Sequence, residues 1–448
     1  IGRDDRKAAL NWLGRLRSEA PLSGPHHRAA CHSRAAWLAV DAGDRAGARA
    51  HVREALADQA TSGDFFAGCN CVAAALTLLR LGDAPEEIAA TLDALDGYAQ
   101  KTLNPMLTWM AGMLRGEWLI ERGDEQRGRD LLSAALSIGK KHDYLHFLIF
   151  PPAVISGVAY AALERGIEVD YVRRLITHNS LRPPSDRPRL ELWPWPVRIY
   201  TLGRFGILRN GQKIEFARKA QRAPLRLLQA TIALGGRQVA ESQLIDALWP
   251  DSEGDAGANA LTAAVHRLRQ LIGDESLRRQ EGRLSIDSRF VWVDAWALEQ
   301  LLADARRDRT TPMTATEFAQ RLRRLYQDDF LHNERDGAWA LTYREKLHAE
   351  TVSVLTTRIA TAIDQGDWAG VAALSEVGLR IDDCVEAFHR AAIQTHLARN
   401  DPTAAVLAYR RCQRTLSLRL MAAPSAQAAA LFHRARALVN GAESDSKG

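Results

Sequence analysis

The side chains best suited to chemistry in this 448-residue chain lie in one stretch, residues 256–272. Leu261, Val265, Leu268 and Ile272 recur at i, i+4, i+7 and i+11 and mark the apolar face of a helix. Asn259, Thr262, Ala263, His266, Arg269 and Gln270 fall on the opposite side, with Arg267 flanking them. That set is the chemistry of base-edge recognition. Asn bonds adenine in bidentate fashion, Arg suits guanine or phosphate, His is a shorter donor, and Thr can touch a thymine methyl. Ala258, Ala260, Ala263 and Ala264 are small enough to let the backbone approach a groove closely.

Such a helix has to be held by its neighbours. Residues 197–202 alternate like a strand, and 205–209 and 212–216 flank Asn210-Gly211, a strong hairpin signal. A helix is expected from about Ala223 to Leu234, stopped by Gly235-Gly236. A second runs from about Glu241 to Leu248 before Pro250, and the third from Ala256 to Ile272 before Gly273. Two strand-like runs then surround Glu281-Gly282. Lys219 and Arg222, at the start of the first helix, are placed to hold phosphates and register. Arg278, Arg279 and Arg283 flank the last turn as candidates for phosphate or minor-groove contact. Between Arg198 and Asp294 stand fifteen Lys or Arg and eleven Asp or Glu, so most of the whole-chain excess of +5 sits in this quarter.

The rest of the chain reads as helices. Residues 1–180 are rich in Ala, Leu and Arg with apolar spacings of three and four. Turns at Gly43-Asp44, Gly82-Asp83, Gly123-Asp124 and Gly166 recur about every 40 residues, one helix pair per interval. Residues 181–196 hold five prolines and Trp193 and Trp195, which forbids a continuous helix and predicts an ordered linker. Residues 295–440 return to helices. Gly366-Asp367 and Asn400-Asp401 stand 34 residues apart, the tetratricopeptide period. The polar tail 441–448 is expected to be disordered. The fold class is therefore mostly α: an α-solenoid of tetratricopeptide-like repeats flanking a small α+β winged helix-turn-helix domain at 197–294.

The absent motifs narrow the function classes. There is no phosphate-binding Gly-x-x-x-x-Gly-Lys-Ser/Thr loop, no Gly-x-Ser-x-Gly elbow and no His-Glu-x-x-His. The paired carboxylates Asp328-Asp329 and Asp382-Asp383 precede helical patterns and read as caps rather than as an acid–base couple. No catalytic role, cofactor or metal is expected. Cys31, Cys69, Cys71, Cys384 and Cys412 are odd in number and irregular in spacing, as expected of reduced packing thiols. His26, His27, Cys31 and His32 lack a second half-site with zinc-finger spacing. No uninterrupted apolar run of membrane-spanning length and no signal segment is read, so a cytoplasmic location with no membrane partner is expected.

Several of these residues also resemble a known family. Leu248-Trp249-Pro250-Asp251, Ala260-Leu261 and the run His266 to Gly273 resemble the OmpR-type winged helix of antibiotic-regulatory (SARP-type) activators. Phe330-Leu331, Trp339, Arg344-Glu345, Gly366-Asp367-Trp368 and Tyr409-Arg410-Arg411-Cys412 resemble their bacterial transcriptional activator domain, a tetratricopeptide-like module. The stretch Trp193 to Phe205 is similar to the entry to this winged helix in MalT-like signal-transduction-ATPase regulators. The resemblance covers about 193–440; residues 1–180 share only a generic helical repeat. It implies that Asn259, Thr262, His266, Arg267 and Arg269 contact DNA, and that the partners are double-stranded promoter DNA, RNA polymerase and further copies of the chain. Relatives often carry Arg where Asn259 stands, so a different base preference is expected.

The chain begins with Ile and reads as the output half of a longer regulator. Any ATP-binding ATPase domain of that parent would lie upstream. The expected function is sequence-specific transcriptional regulation, with activation the expected sign and the helical repeats sensing a signal or driving oligomerisation. The alternative is a tetratricopeptide-type interaction scaffold without specific DNA binding. That alternative expects apolar residues on the outward face of 256–272, where the sequence has Asn, Thr, His and Arg.

Overall fold

A computed structural model describes residues 6–19, 24–57, 61–82, 84–147, 152–184, 187–215, 222–252, 255–307, 313–332 and 338–445. Contacts within it divide the chain into two compact units, Ile1–Pro194 and Trp195–Gly448. The fold is mostly helical in both.

The first unit contains α1 (Arg6–Glu19), α2 (Pro25–Asp41), α3 (Arg45–Ala57), α4 (Asp64–Leu81), α5 (Pro85–Thr102), α6 (Pro105–Glu121), α7 (Glu125–His142), α8 (Pro152–Glu164) and α9 (Val169–His178). From α2 onward the helices form hairpins, and each hairpin packs on the next. The periodic glycines stand at the turns inside the hairpins. Gly43 has φ +77°, a conformation costly for any residue with a Cβ. Asp44 follows it and accepts from the Gly47 N–H at 2.8 Å, capping α3. Asp124, expected to cap α7 in the same way, makes no side-chain cap bond. The helices also touch closely: a Cβ on Gly128 would lie 2.7 Å from the Gly116 carbonyl oxygen across α6 and α7.

α4 is the one described helix long and apolar enough to cross a membrane, although Asp64, Asn70 and Arg80 interrupt its apolar run. Two-thirds of it is buried inside the protein, because it is packed by α2, α3, α5 and α6. An all-round apolar helix is what such a central position requires.

The second unit opens with strands β1 (Val197–Tyr200), β2 (Gly206–Arg209) and β3 (Gln212–Lys213). It continues through α10 (Arg222–Ala233), β4 (Val239–Ala240), α11 (Glu241–Leu248) and α12 (Ala256–Ile272) to β5 (Leu277–Gln280), β6 (Arg283–Ile286) and β7 (Val291–Val293). The strands form two sheets, ordered β3-β2-β1-β7 and β4-β6-β5. Asn210 and Gly211 turn the β2–β3 hairpin with φ of +49° and +81°, and Glu281 and Gly282 turn β5–β6 with +51° and +67°. Both central residues in the left-handed region suit the right-handed twist of the paired strands. β7 runs parallel to β1, with Val197 opposite Val291 and Ile199 opposite Val293.

Among the described residues seven helices follow: α13 (Asp294–Arg306), α14 (Ala315–Leu325), α15 (Ala338–Asp364), α16 (Trp368–Ile381), α17 (Glu386–Ala398), α18 (Pro402–Leu420) and α19 (Ala426–Asp445). Asp367 and Asp401 cap α16 and α18, accepting from Gly370 N–H and Ala404 N–H. Tyr409 stacks on Phe432 at 4.5 Å, joining α18 to α19. α19 continues to Asp445, beyond the tail boundary expected at Gly441, since one glycine costs a helix only about 1 kcal/mol.

The segment 197–294 and the helices after it share one hydrophobic core. It runs without a break from Val197 and Ile199 through Leu261 and Leu268 to Phe318, Leu355 and Phe388.

Candidate nucleic-acid interface

α12 takes its place because one face is apolar and the other is not. Leu261, Val265, Leu268 and Ile272 are buried against α10 and α11. The approach to α11 is close at Gly257, where a Cβ would stand 2.6 Å from Ile245 Cγ2. Arg209, at the end of β2, donates from Nη1 to the Gln270 and Leu271 carbonyls at 3.1 and 3.3 Å. It caps the C-terminal end of α12, where a cation is favoured.

The outward face carries Asn259, Thr262, Ala263, His266, Arg267 and Gln270, all exposed. Asn259, Ala263, His266 and Gln270 follow i, i+4, i+7 and i+11 and make one stripe. Thr262 and Arg267 lie on its two flanks. His266 and Gln270 are joined, Nε2 to Nε2 at 3.1 Å. Among the described residues the side chains of Asn259 and Arg267 have no hydrogen bond or ion pair within the chain.

Arg269 departs from the expectation. It is half-buried, and its Nε is enclosed with no hydrogen-bond partner among the described residues. Its place beside Val265 and Ile272 turns it toward the edge of the core rather than outward. Arg222 is exposed at the start of α10. Lys219 lies outside the described residues.

The β5–β6 hairpin lies beside α12, and its arginines are more occupied than the sequence suggested. Arg279 pairs with Glu241 through Nε and Nη2, at 2.7 and 2.8 Å, and donates from Nη1 to Thr262 Oγ1 at 3.2 Å. That guanidinium holds the Glu241 carboxyl below the usual carboxylate range. Arg279 is therefore not a free wing cation, because its fork is filled from inside the molecule. Arg278 meets Asp287 at 2.9 Å with its side chain still half-exposed. Arg283 is exposed and gives one bond, Nη1 to the Gln238 carbonyl at 2.9 Å. Arg237 and Arg289 also face solvent nearby, the first donating to Ser288 Oγ and the second paired with Asp287. The sequence reading missed both, since neither flanks Glu281-Gly282, the turn from which the wing was read.

Asp294, also missed, is fully buried. It accepts from Thr201 N–H, Thr201 hydroxyl, Leu202 N–H and Ala295 N–H. Burial pushes its carboxyl up to about 6 against those four donors. The donors lie at the end of β1 and the start of α13. Nearby, Leu331 N–H bonds the Thr201 carbonyl at 2.8 Å, and Arg344 holds the Phe330 and Leu331 carbonyls, each at 2.7 Å.

Residues 293–436 match the bacterial transcriptional activator domain. That matched segment shares its hydrophobic core with residues 197–294. No curated protein matches the chain by sequence. Among solved structures, EmbR of Mycobacterium tuberculosis, in complex with a low-affinity phosphopeptide, aligns at 21% identity over 54% of this chain with a TM-score of 0.40. This chain spans 65% of the length of that protein. The tetratricopeptide domain of P58(IPK) aligns at 11% identity over 98% of this chain and 99% of its own, with a TM-score of 0.21.

Inside the matched segment the carboxylate pairs do not act as N-caps. Asp382 closes α16 and accepts from the Cys384 N–H, while Asp329 accepts from the Tyr326 hydroxyl. Between them sits His348, Nδ1 at 3.5 Å from Asp329 and Nε2 at 3.1 Å from Asp382. The two carboxylates raise the imidazole above its ordinary range. The only three ligand atoms close enough for a metal among the described residues belong to Asp382, Asp383 and Cys384. The cysteines near the N-terminal histidines form no such group, and all five cysteines are free.

Proposed function

We propose that this chain is a sequence-specific DNA-binding transcriptional regulator, an activator, in which residues 197–294 act as an OmpR-type winged helix-turn-helix. α12 is the recognition helix and β5–β6 the wing. The observation that carries this reading is the exposed stripe Asn259, Ala263, His266 and Gln270, backed by the buried Leu261, Val265 and Leu268. Two amides, an imidazole and a methyl group on one helix face suit the major groove. Arg267 on one flank and the outer N–H donors of Arg278 and Arg283 suit the phosphates on either side.

The activator-domain match supports the sign of regulation. By the same reading the partners are double-stranded promoter DNA, RNA polymerase and a second copy of the chain. The helical unit 1–194 senses a signal or drives that assembly, as the resemblance to the output half of MalT-like regulators implies. The chain acts in the cytoplasm without catalysis or a cofactor of its own.

A mobility-shift titration with promoter fragments tests the reading. Wild type is expected to bind, to weaken steeply as salt rises, and to lose affinity on Asn259→Ala plus Arg267→Ala. Affinity indifferent to both salt and that double substitution sinks it. A protein-interaction role for the last helices is favoured by one further observation. Leu407, Leu418, Leu420 and Met421 are all exposed on or just after α18. Replacing them with serine should leave DNA affinity unchanged.

A further inference from the structure

Resting on the DNA-binding reading, we propose that Arg279 is a positioning residue and not a DNA contact. With Glu241 and Thr262 it clamps the β5–β6 hairpin to the start of α11 and to one flank of α12. The base-reading surface is thereby set to Asn259, Ala263, His266 and Gln270, with Arg267 beside them.

Three elements converge on this guanidinium. Glu241 is the first residue of α11, Thr262 lies on α12, and Arg279 itself sits on β5. Both Glu241 oxygens accept from it in a two-point fork, which fixes orientation as well as distance. The third nitrogen is committed to Thr262. The pair is sheltered, with side chains 29% and 19% exposed, against 54% for Arg278. An exposed arginine can swing to a phosphate at little cost, whereas Arg279 would first have to give up a partly desolvated bidentate pair.

The backbone shows what remains for the clamp to fix. Ala240 pairs with Arg283, and the Glu241 N–H bonds the Gly282 carbonyl at 2.9 Å. The tip of the hairpin is thus already tied to the start of α11. Its lean against α12 is not, and among the described contacts the Arg279–Thr262 bond is the side-chain hydrogen bond that spans it. Thr262 accepts that bond on the flank of the stripe, so its hydroxyl is occupied from within. Arg278 and Arg283 keep outward N–H donors and are left as the wing's phosphate contacts.

The test uses the full chain as wild type, Glu241→Gln, Arg279→Gln and the double variant. Duplex affinity is measured across salt concentrations, and amide hydrogen exchange is measured without DNA. Each single variant should weaken binding about fivefold on every duplex, with the double variant no worse than either single. The slope of log K against log salt should stay at its wild-type value, and the base preference at each position should not change. Arg279→Lys should fail to rescue, because an ammonium cannot make the fork. If Arg279 instead contacts a phosphate, Glu241→Gln frees it. Affinity then rises and the salt slope steepens, while Arg279→Gln flattens the slope by about 1. That pattern overturns the proposal. Should wild type show no sequence-dependent duplex binding, the DNA-binding reading falls and exchange alone decides the clamp. Exchange in 277–286 should accelerate in Glu241→Gln while 368–420 stays unchanged, and unaltered exchange in 277–286 overturns it.

Discussion

The Asp294 carboxylate accepts from the Thr201 N–H at 2.7 Å and from the Thr201 hydroxyl at 2.6 Å, joining the end of β1 to the start of α13 inside the core. The first residue of the helical segment therefore holds the first strand of the α12 module. Removing it leaves three buried N–H groups without acceptors. Each orphaned group costs about 1–3 kcal/mol, so Asp294→Ala should be among the most destabilising single changes in the second unit. Chemical unfolding measures this, and a loss below about 1 kcal/mol contradicts the role.

Asp294 also sets a pH dependence. Its folded value of about 6 lies above the 3.8 of a free aspartate. The folded state then holds the proton more tightly. The associated stability is fully present below about pH 4 and is lost as pH rises through about 6. Relative to Asp294→Asn, wild type should lose stability across that window, by roughly 2–3 kcal/mol. A difference that stays flat between pH 4 and 6.5 argues against it.

His348 gives a second window with the same sign. Asp329 and Asp382 raise the imidazole, so its contribution is present below the ordinary histidine range and lost as pH rises through the raised folded value. His348→Gln should remove that dependence. Hydrogen exchange of α15 and α16 at near-neutral and alkaline pH reads it. Equal pH sensitivity in wild type and variant would show that the bridge carries no stability.

Gly257 is the tight point between α11 and α12. A side chain there would run into Ile245. Gly257→Val should destabilise the second unit by about 1–3 kcal/mol through overpacking and weaken DNA binding at every site. Gly97→Val, a change where a Cβ meets nothing within 4 Å, is the control. Equal behaviour of the two variants contradicts the packing account.

The shared core bears on any attempt to isolate the α12 module. Leu298, Leu301, Leu302 and Phe318 are buried in the same core as Leu268 and Ile286. A fragment ending near residue 294 should unfold at lower denaturant than one ending near 436. Equal midpoints would mean the core is divisible after all.

Much of this architecture was legible in the sequence, for local reasons. The helices 241–248 and 256–272 announce themselves because apolar spacing and the stops Pro250 and Gly273 agree. The two hairpins do so because Asn210-Gly211 and Glu281-Gly282 occur where both central residues must turn left-handed. The outward stripe of α12 follows from the same periodicity. What the sequence hid is long-range. β7 is three residues long and pairs with a strand more than ninety positions earlier, so no local pattern marks it. Asp294 looks like an ordinary helix-start acid until Thr201 is beside it. Arg279 looks like a wing cation because its partner Glu241 is 38 residues away. Arg269 was misplaced because half-buried flank positions on a helix wheel lie within a few tens of degrees of exposed ones.

The most direct test of the central claim is selection from a randomised duplex pool by the full chain, comparing wild type with Asn259→Ala and Arg267→Ala. The account predicts a defined wild-type motif, loss of preference at one base position in Asn259→Ala, and in Arg267→Ala an unchanged motif with affinity lowered uniformly and the salt slope reduced by about 1. A pool that stays random after selection by wild type, or a motif that Asn259→Ala leaves unaltered, contradicts it.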